Sequence, residues 1–152
     1  MSWQSRVPHV LDALVTLWRG VPELADIVQD GPLPLDSPDL EVLSVGYDGN
    51  EDGTTAEGSF LPEGLGGRPD REQFTVTCLI VVVDGANDAP VARARAYELF
   101  SIAAEALAVD RTLGGLVLRA YVGDYTLRQL QDQTGAKARL EFRVAVDAYT
   151  VR

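Results

Sequence analysis

The sequence predicts an α+β fold: two helices packed on one face of a largely antiparallel sheet of four to five strands, with a long Gly/Asp-rich loop. Three observations predict it. Two stretches repeat apolar residues at helical spacing. The run "REQFTVTCLIVVVDG" is rich in β-branched residues and apolar on both faces near its end, as a central strand is. The closing stretch "AKARLEFRVAVDAYTVR" alternates with a period of two. A length of 152 residues fits a single domain spanning 1–152, large enough to build a core without disulfides or a metal.

The elements follow in order. Val7, Val10, Leu11, Leu14, Val15 and Trp18 form the apolar stripe of a first helix, with Pro8 tolerated in its opening turn and Gly20 and Pro22 stopping it. "ADIVQDG" is a short strand candidate. "GPLPLDSPD" carries three prolines and reads as loop. "LEVLSVGYD" returns to strand character. Residues 48–70 then hold eight glycines or prolines and few large apolar side chains, which predicts a long structureless loop, flexible or ordered by a partner. After the central strand, Asn87 or Asp88 caps a second helix with Pro90 in its first turn. Ala92, Ala96, Leu99, Ala103, Ala106 and Leu107 mark its buried face, and Gly114 and Gly115 end it. "GLVLRAYVGDYTLRQLQDQ" is a long strand in which Gly123 signals a bulge or bend. Thr134-Gly135 makes a turn into the last strand. There Ala138, Leu140, Phe142, Val144, Val146 and Ala148 face the core, and Arg139, Glu141, Arg143 and Asp147 face solvent or a partner.

Residue chemistry narrows the function classes. Asp48, Asn50 and Asp52 alternate before Gly53, as the opening of a calcium loop does. Position 12 of that loop needs a bidentate Glu, yet Ser59 stands there, and a strand rather than a helix precedes it. An acidic turn carrying Asp48, Glu51, Asp52 and Glu57 is the better reading, with no metal expected. "GLGG" lacks the Lys-Ser/Thr and the following helix of a phosphate cradle. Cys78, the only cysteine, sits in a strand-like run and reads as a buried inert thiol. His9, the only histidine, has no evident catalytic partner. No catalytic residue and no cofactor are expected. The longest apolar run, "CLIVVV", is a strand and not a membrane span, and no secretory leader is visible, so a reducing cytoplasm is the expected site of synthesis.

The charge is uneven. Residues 1–70 carry 13 Asp/Glu and 3 Arg, a net of −10, whereas residues 71–152 carry 10 of each sign. Nucleic-acid binders show a basic stripe instead, so phosphate-backbone binding is not the expected main task. The features left are those of a building block: a plain domain, a long acidic loop and a polar outer sheet face.

The stretches "VPHVLDALVTLWRGVPEL", "VGYDGNEDG", "REQFTVTCLIVVVDG", "VARARAYELFSIAAEAL" and "DRTLGGLVLRAYVGDYTLRQLQDQTGAKARLEFRVAV" follow one another along nearly the whole chain. In this order they resemble the tail terminator (tail completion) proteins of long-tailed bacteriophages. The resemblance implies an α+β domain that assembles with itself into a ring, usually of six subunits. It implies a place in the virion at the head–tail interface, with the tail-tube protein and a head-connector protein as partners. DNA passes through such a ring without specific binding. The acidic loop then becomes an assembly or lumen element, and Arg139, Glu141 and Arg143 are candidates to pair across a subunit boundary. Another neck protein, a tail-tube subunit and, from a different class, a small-substrate enzyme are the alternatives.

Overall fold

The structure, a computed structural model, describes residues 4–32, 41–50, 52–62, 70–133 and 135–150. The element order is α1 (Val7–Arg19), β1 (Val28–Asp30), β2 (Glu41–Val45), β3 (Ala56–Leu61), β4 (Arg71–Asp84), α2 (Ala89–Val109), β5 (Arg119–Asp132) and β6 (Gly135–Tyr149). Among the described residues, six strands form one sheet in the order β1-β2-β4-β6-β5, with β3 also paired to β4. Every pairing is antiparallel except β1 with β2. The α+β class is as expected, but the sheet has six strands among the described residues rather than four to five.

The extra strand is β3, and it corrects the reading of residues 48–70 as a structureless loop. β2 pairs with β4 from Glu41↔Val82 to Val45↔Cys78, and β3 pairs with β4 from Ala56↔Val76 to Leu61↔Arg71. Both therefore lie along the same edge of β4, one after the other. Between them Gly46 donates to the carbonyl of Thr77 at 2.8 Å, and Thr77 donates back to the carbonyl of Thr55 at 2.9 Å. β2 and β3 are thus one edge strand, interrupted where the chain leaves the ladder at Gly46 and rejoins it at Thr55. Glu51 and residues 63–69 of the expected loop, and the proline-rich 33–40, lie outside the described residues.

β4 and β6 pair over their full lengths, from Arg71↔Tyr149 to Asp84↔Ala136. Their core-facing side chains follow the sequence alternation, and Ala136, Ala138, Leu140, Phe142, Val144, Val146 and Ala148 are all buried. Both helices cover this one face. Phe142 meets Trp18 of α1 edge-on at 6.0 Å and Phe100 of α2 at 5.1 Å. The Trp18 indole N–H donates to the carbonyl of Ala103 at 3.0 Å, so the largest core side chain carries no buried orphan donor. The buried stripe of α2 consists of three alanines and two leucines, Ala92, Ala96, Leu99, Ala103 and Leu107, and small residues let a helix lie close to a sheet.

Local chemistry sets the ends. Asp88 caps α2 by accepting from the N–H of Val91. Asn87, before it, takes a left-handed φ of 62°. The helix stops at Val109, earlier than the expected Gly114-Gly115. There the Asp110 carboxylate accepts from the N–H groups of Thr112 and Gly114 and from the Thr112 hydroxyl. Those bonds draw the chain out of the helix. The expected bulge is present: Val122 pairs with Val144 and Tyr125 with Phe142, so Gly123 and Asp124 together oppose Arg143.

Candidate functional site

Three surface features stand out from the layered core: the looped-out segment in the edge strand, the outer sheet face, and a groove on the helix side.

The looped-out segment is built around Asp48. One carboxylate oxygen accepts from the N–H of Asn50 at 2.9 Å, the other from the N–H of Thr54 at 3.1 Å. Gly53 packs against that carboxylate so closely that a Cβ would lie 1.7 Å from an oxygen. The Thr55 hydroxyl closes the neck by donating to the carbonyl of Gly46 at 2.8 Å. The Asp48 side chain, first ligand of the rejected calcium loop, is therefore spent on the loop's own backbone. Asp52 is exposed beside it, and Glu57 lies exposed on β3. Among the described residues no group of three or more His, Cys, Asp or Glu is placed to hold a metal.

The loop folds back over the outer sheet face. Gly49 has φ +92°, and a Cβ on it would come within 1.6 Å of the Arg139 guanidinium and 3.3 Å of Leu79. Leu79 points away from the helices, yet it is buried. Gly49 supplies part of its cover, between the cross-strand neighbours Ser44 and Glu141. Arg139, Glu141 and Arg143 share this face. Arg143 pairs with Glu141 of its own strand at 3.1 Å, and Arg139 runs under the loop. Across β5, Arg128 stands directly opposite Arg139, and Leu130 opposite Lys137. At the other end of the face Arg71 holds Asp147 through two hydrogen bonds, one of 2.6 Å. The Arg71 guanidinium keeps the Asp147 carboxyl below its usual range, against the opposing effect of burial. A shallow cleft of about 340 Å³ crosses this end between Glu57, Thr75 and Arg119.

Sequence reasoning missed Glu72. Its parity along β4, two before Phe74, is the signal that puts it on the core side. It is 3% exposed and accepts from the Ser5 hydroxyl at 2.5 Å and the Arg6 N–H at 2.8 Å. A carboxylate here sits at the N-terminus of α1, where the helix dipole favours negative charge, and locks the helix to β4. Ser5 in turn accepts from the N–H of Val7.

On the helix side, a groove of about 490 Å³ runs between α1 and the turn after α2. Leu17, Leu113 and Leu116 give it an apolar floor, and Asp12 and Asp110 stand at it with His9. Asp110 is held charged, its carboxyl kept below the usual range first by the Thr112 hydroxyl and then by backbone N–H groups. His9, the sequence's lone histidine, is exposed here. Cys78 is fully buried, and burial pushes its thiol up to about 12, which removes it as a nucleophile.

No protein-family profile matches the sequence, and no curated protein does. Among solved structures, the fold is similar to a chain described as "Virion of native gene transfer agent (GTA) particle". The TM-score is 0.55 at 10% identity, and the match covers 92% of this chain and 94% of that one. The two share an architecture from end to end. No described helix is long and apolar enough to cross a membrane.

Proposed function

We propose that this chain is a structural protein of a phage-like virion and, within it, the tail terminator. It forms a ring, of six copies in this reading, that caps the head-proximal end of the tail tube, stops its growth and docks to the head connector. It catalyses nothing and carries no cofactor. The observation that carries the reading is the fold shared over nearly the full length of both chains with a chain of a gene transfer agent virion. The resemblance of the ordered sequence stretches to tail terminators refines it. The surface suits the role. β5 and β1 are the outer strands of the sheet, and β5 offers an exposed edge of 14 residues to a neighbour. Arg139, Glu141 and Arg143 lie on the outer sheet face, Arg139 partly under the loop and the Arg143 side chain open to a neighbour at 39% exposure, where charges give register more than affinity. Asp52 and Glu57 repel DNA if they line the lumen, within a screening length of about 8 Å at physiological salt.

The test is an extension assay. Purified chain is added to polymerising tail-tube protein, and free tube subunits are supplied afterwards. A terminator leaves tubes that no longer lengthen. Tubes that keep growing with the chain incorporated along them point to a tube subunit, and tubes that ignore it point to another neck protein or to an enzyme.

A further inference from the structure

The sheet has two distinct ends. At one, Glu72 of β4 holds the start of α1, and the turn after α2 is tied down by the bond from Leu118 to the Asp147 carbonyl. At the other, Asp84 lies opposite Ala136 beside the β5–β6 turn. β4 has 14 residues, so the two ends are roughly 45 Å apart. The groove floored by Leu17, Leu113 and Leu116 belongs to the first end and the helix side. The distal β5–β6 hairpin belongs to the second end.

That hairpin carries an unusual surface for a chain of net charge −10. Arg128 and Arg139 are direct cross-strand partners on the outer face, a like-charge pair that costs stability unless something neutralises it. Neither has a carboxylate within ion-pair distance among the described residues. Lys137, the next basic residue on this face, reaches Asp132 only at 3.9 Å. Beside them Leu130 is 50% exposed. The groove presents the complement: an apolar floor with two carboxylates, Asp12 and Asp110, both exposed. Val109, next to Asp110 in the chain, is 88% exposed.

We propose that the distal β5–β6 hairpin of one copy docks into the α1 groove of a second copy, Leu130 on the leucine floor and Arg128 toward Asp12 and Asp110. The two patches differ and lie at opposite ends and faces of one chain. Such a contact is heterologous, and repeated from copy to copy it closes into a ring or runs on as a filament. It offsets the charge of Arg128, the exposed member of the arginine pair, with carboxylates the chain itself supplies. The inference takes from the proposed function only the premise that copies of the chain meet.

The test pairs cross-linking with charge reversal. Cys78 is buried, so engineered cysteines are the only accessible thiols. Gln133→Cys chains mixed with Thr16→Cys chains should cross-link to each other through a short bismaleimide. Each chain then carries one engineered cysteine, so a 16–133 bridge can join only two different copies. Arg128→Asp and Asp12→Arg should each weaken self-association at least about tenfold, and the double variant should recover most of the loss. Added salt should weaken the wild type and leave the apolar part. The absence of a 16–133 cross-link, at concentrations up to where sedimentation shows wild-type oligomers or throughout if it shows only monomers, overturns the proposal. So do single reversals that leave association unchanged. The two readings fail separately. Wild-type chain that caps tubes without a 16–133 cross-link sinks this interface alone. A 16–133 cross-link in a chain that caps nothing sinks the terminator reading and leaves the interface standing.

Discussion

Removing residues 47–55 should give a folded chain with a continuous edge strand. Val45 lies opposite Cys78 and Ala56 opposite Val76. The edge strand thus advances eleven residues while β4 advances two, so nine are extra. Joining Gly46 to Ala56 puts Gly46 opposite Thr77 and leaves every other pair in register. Two effects oppose each other. The loss of cover over Leu79 costs at most about 1.5–3 kcal/mol, the value of fully exposing such a side chain. Closing a nine-residue loop costs about 2 kcal/mol of chain entropy, which the deletion returns. The shortened chain should therefore lie within about 2 kcal/mol of the parent, a melting shift below about 8 °C for a domain of this size. The control removes eight residues, 47–54. One residue then exceeds what the ladder holds, and β3 must bulge or slip by one, which turns each of its side chains to the opposite face. Urea unfolding followed by circular dichroism measures both. A nine-residue deletion that costs more than about 4 kcal/mol, or an eight-residue deletion that is the more stable of the two, refutes the interrupted-strand account.

The core makes a second prediction: Phe142→Ala, between Trp18 and Phe100, should cost about 3–5 kcal/mol, and Leu99→Ala about 2–5 kcal/mol, in denaturant unfolding. Arg143→Ala, on the outer face, should leave the melting temperature nearly unchanged. The third concerns Asp147, whose folded carboxyl is depressed by Arg71. A depressed acid contributes stability above its unfolded value, about 3.9, and loses it as pH falls through the lower folded value. The melting gap between wild type and Asp147→Asn should hold at neutral pH and close below about pH 4; a gap that widens in acid contradicts the pairing. The fourth concerns calcium: titration calorimetry at millimolar Ca²⁺ should show no micromolar site, because Asp48 already accepts from Asn50 and Thr54. A site lost in Asp48→Ala would overturn that assignment.

Both helices and the alternating β6 were legible because each buries a periodic apolar set, and the central β4 because it is a long β-branched run apolar on both faces; β1, with Val28 its one buried residue, showed only as a short strand candidate. The Gly123 bulge was legible for a related reason, a glycine inside a strand pattern. β3 was not. Its sequence, "AEGSFL", has an exposed pattern and no stripe. It is a strand because β4 offers it a ladder, and Gly58 is required because a Cβ would come within 2.4 Å of the Cβ of Phe74. Contacts between residues so placed are tertiary facts that no local pattern records. The end of α2 was misread for the opposite reason. Asp110 acts before the two glycines do, through three hydrogen bonds that its spacing to Thr112 and Gly114 permits. Of the candidate site, the outer-face placement of Arg139, Glu141 and Arg143 was readable from alternation. Their surroundings were not, since the loop over Arg139 and the opposing Arg128 depend on the pairing of distant strands.

The central claim is that the chain ends a tail tube. Electron cryo-microscopy of tubes grown with a gold-labelled chain tests it most directly, because it locates every copy. The account predicts label confined to a single closed ring at one end of each tube. Label spaced along the tube wall, or tubes with bare ends, would contradict it.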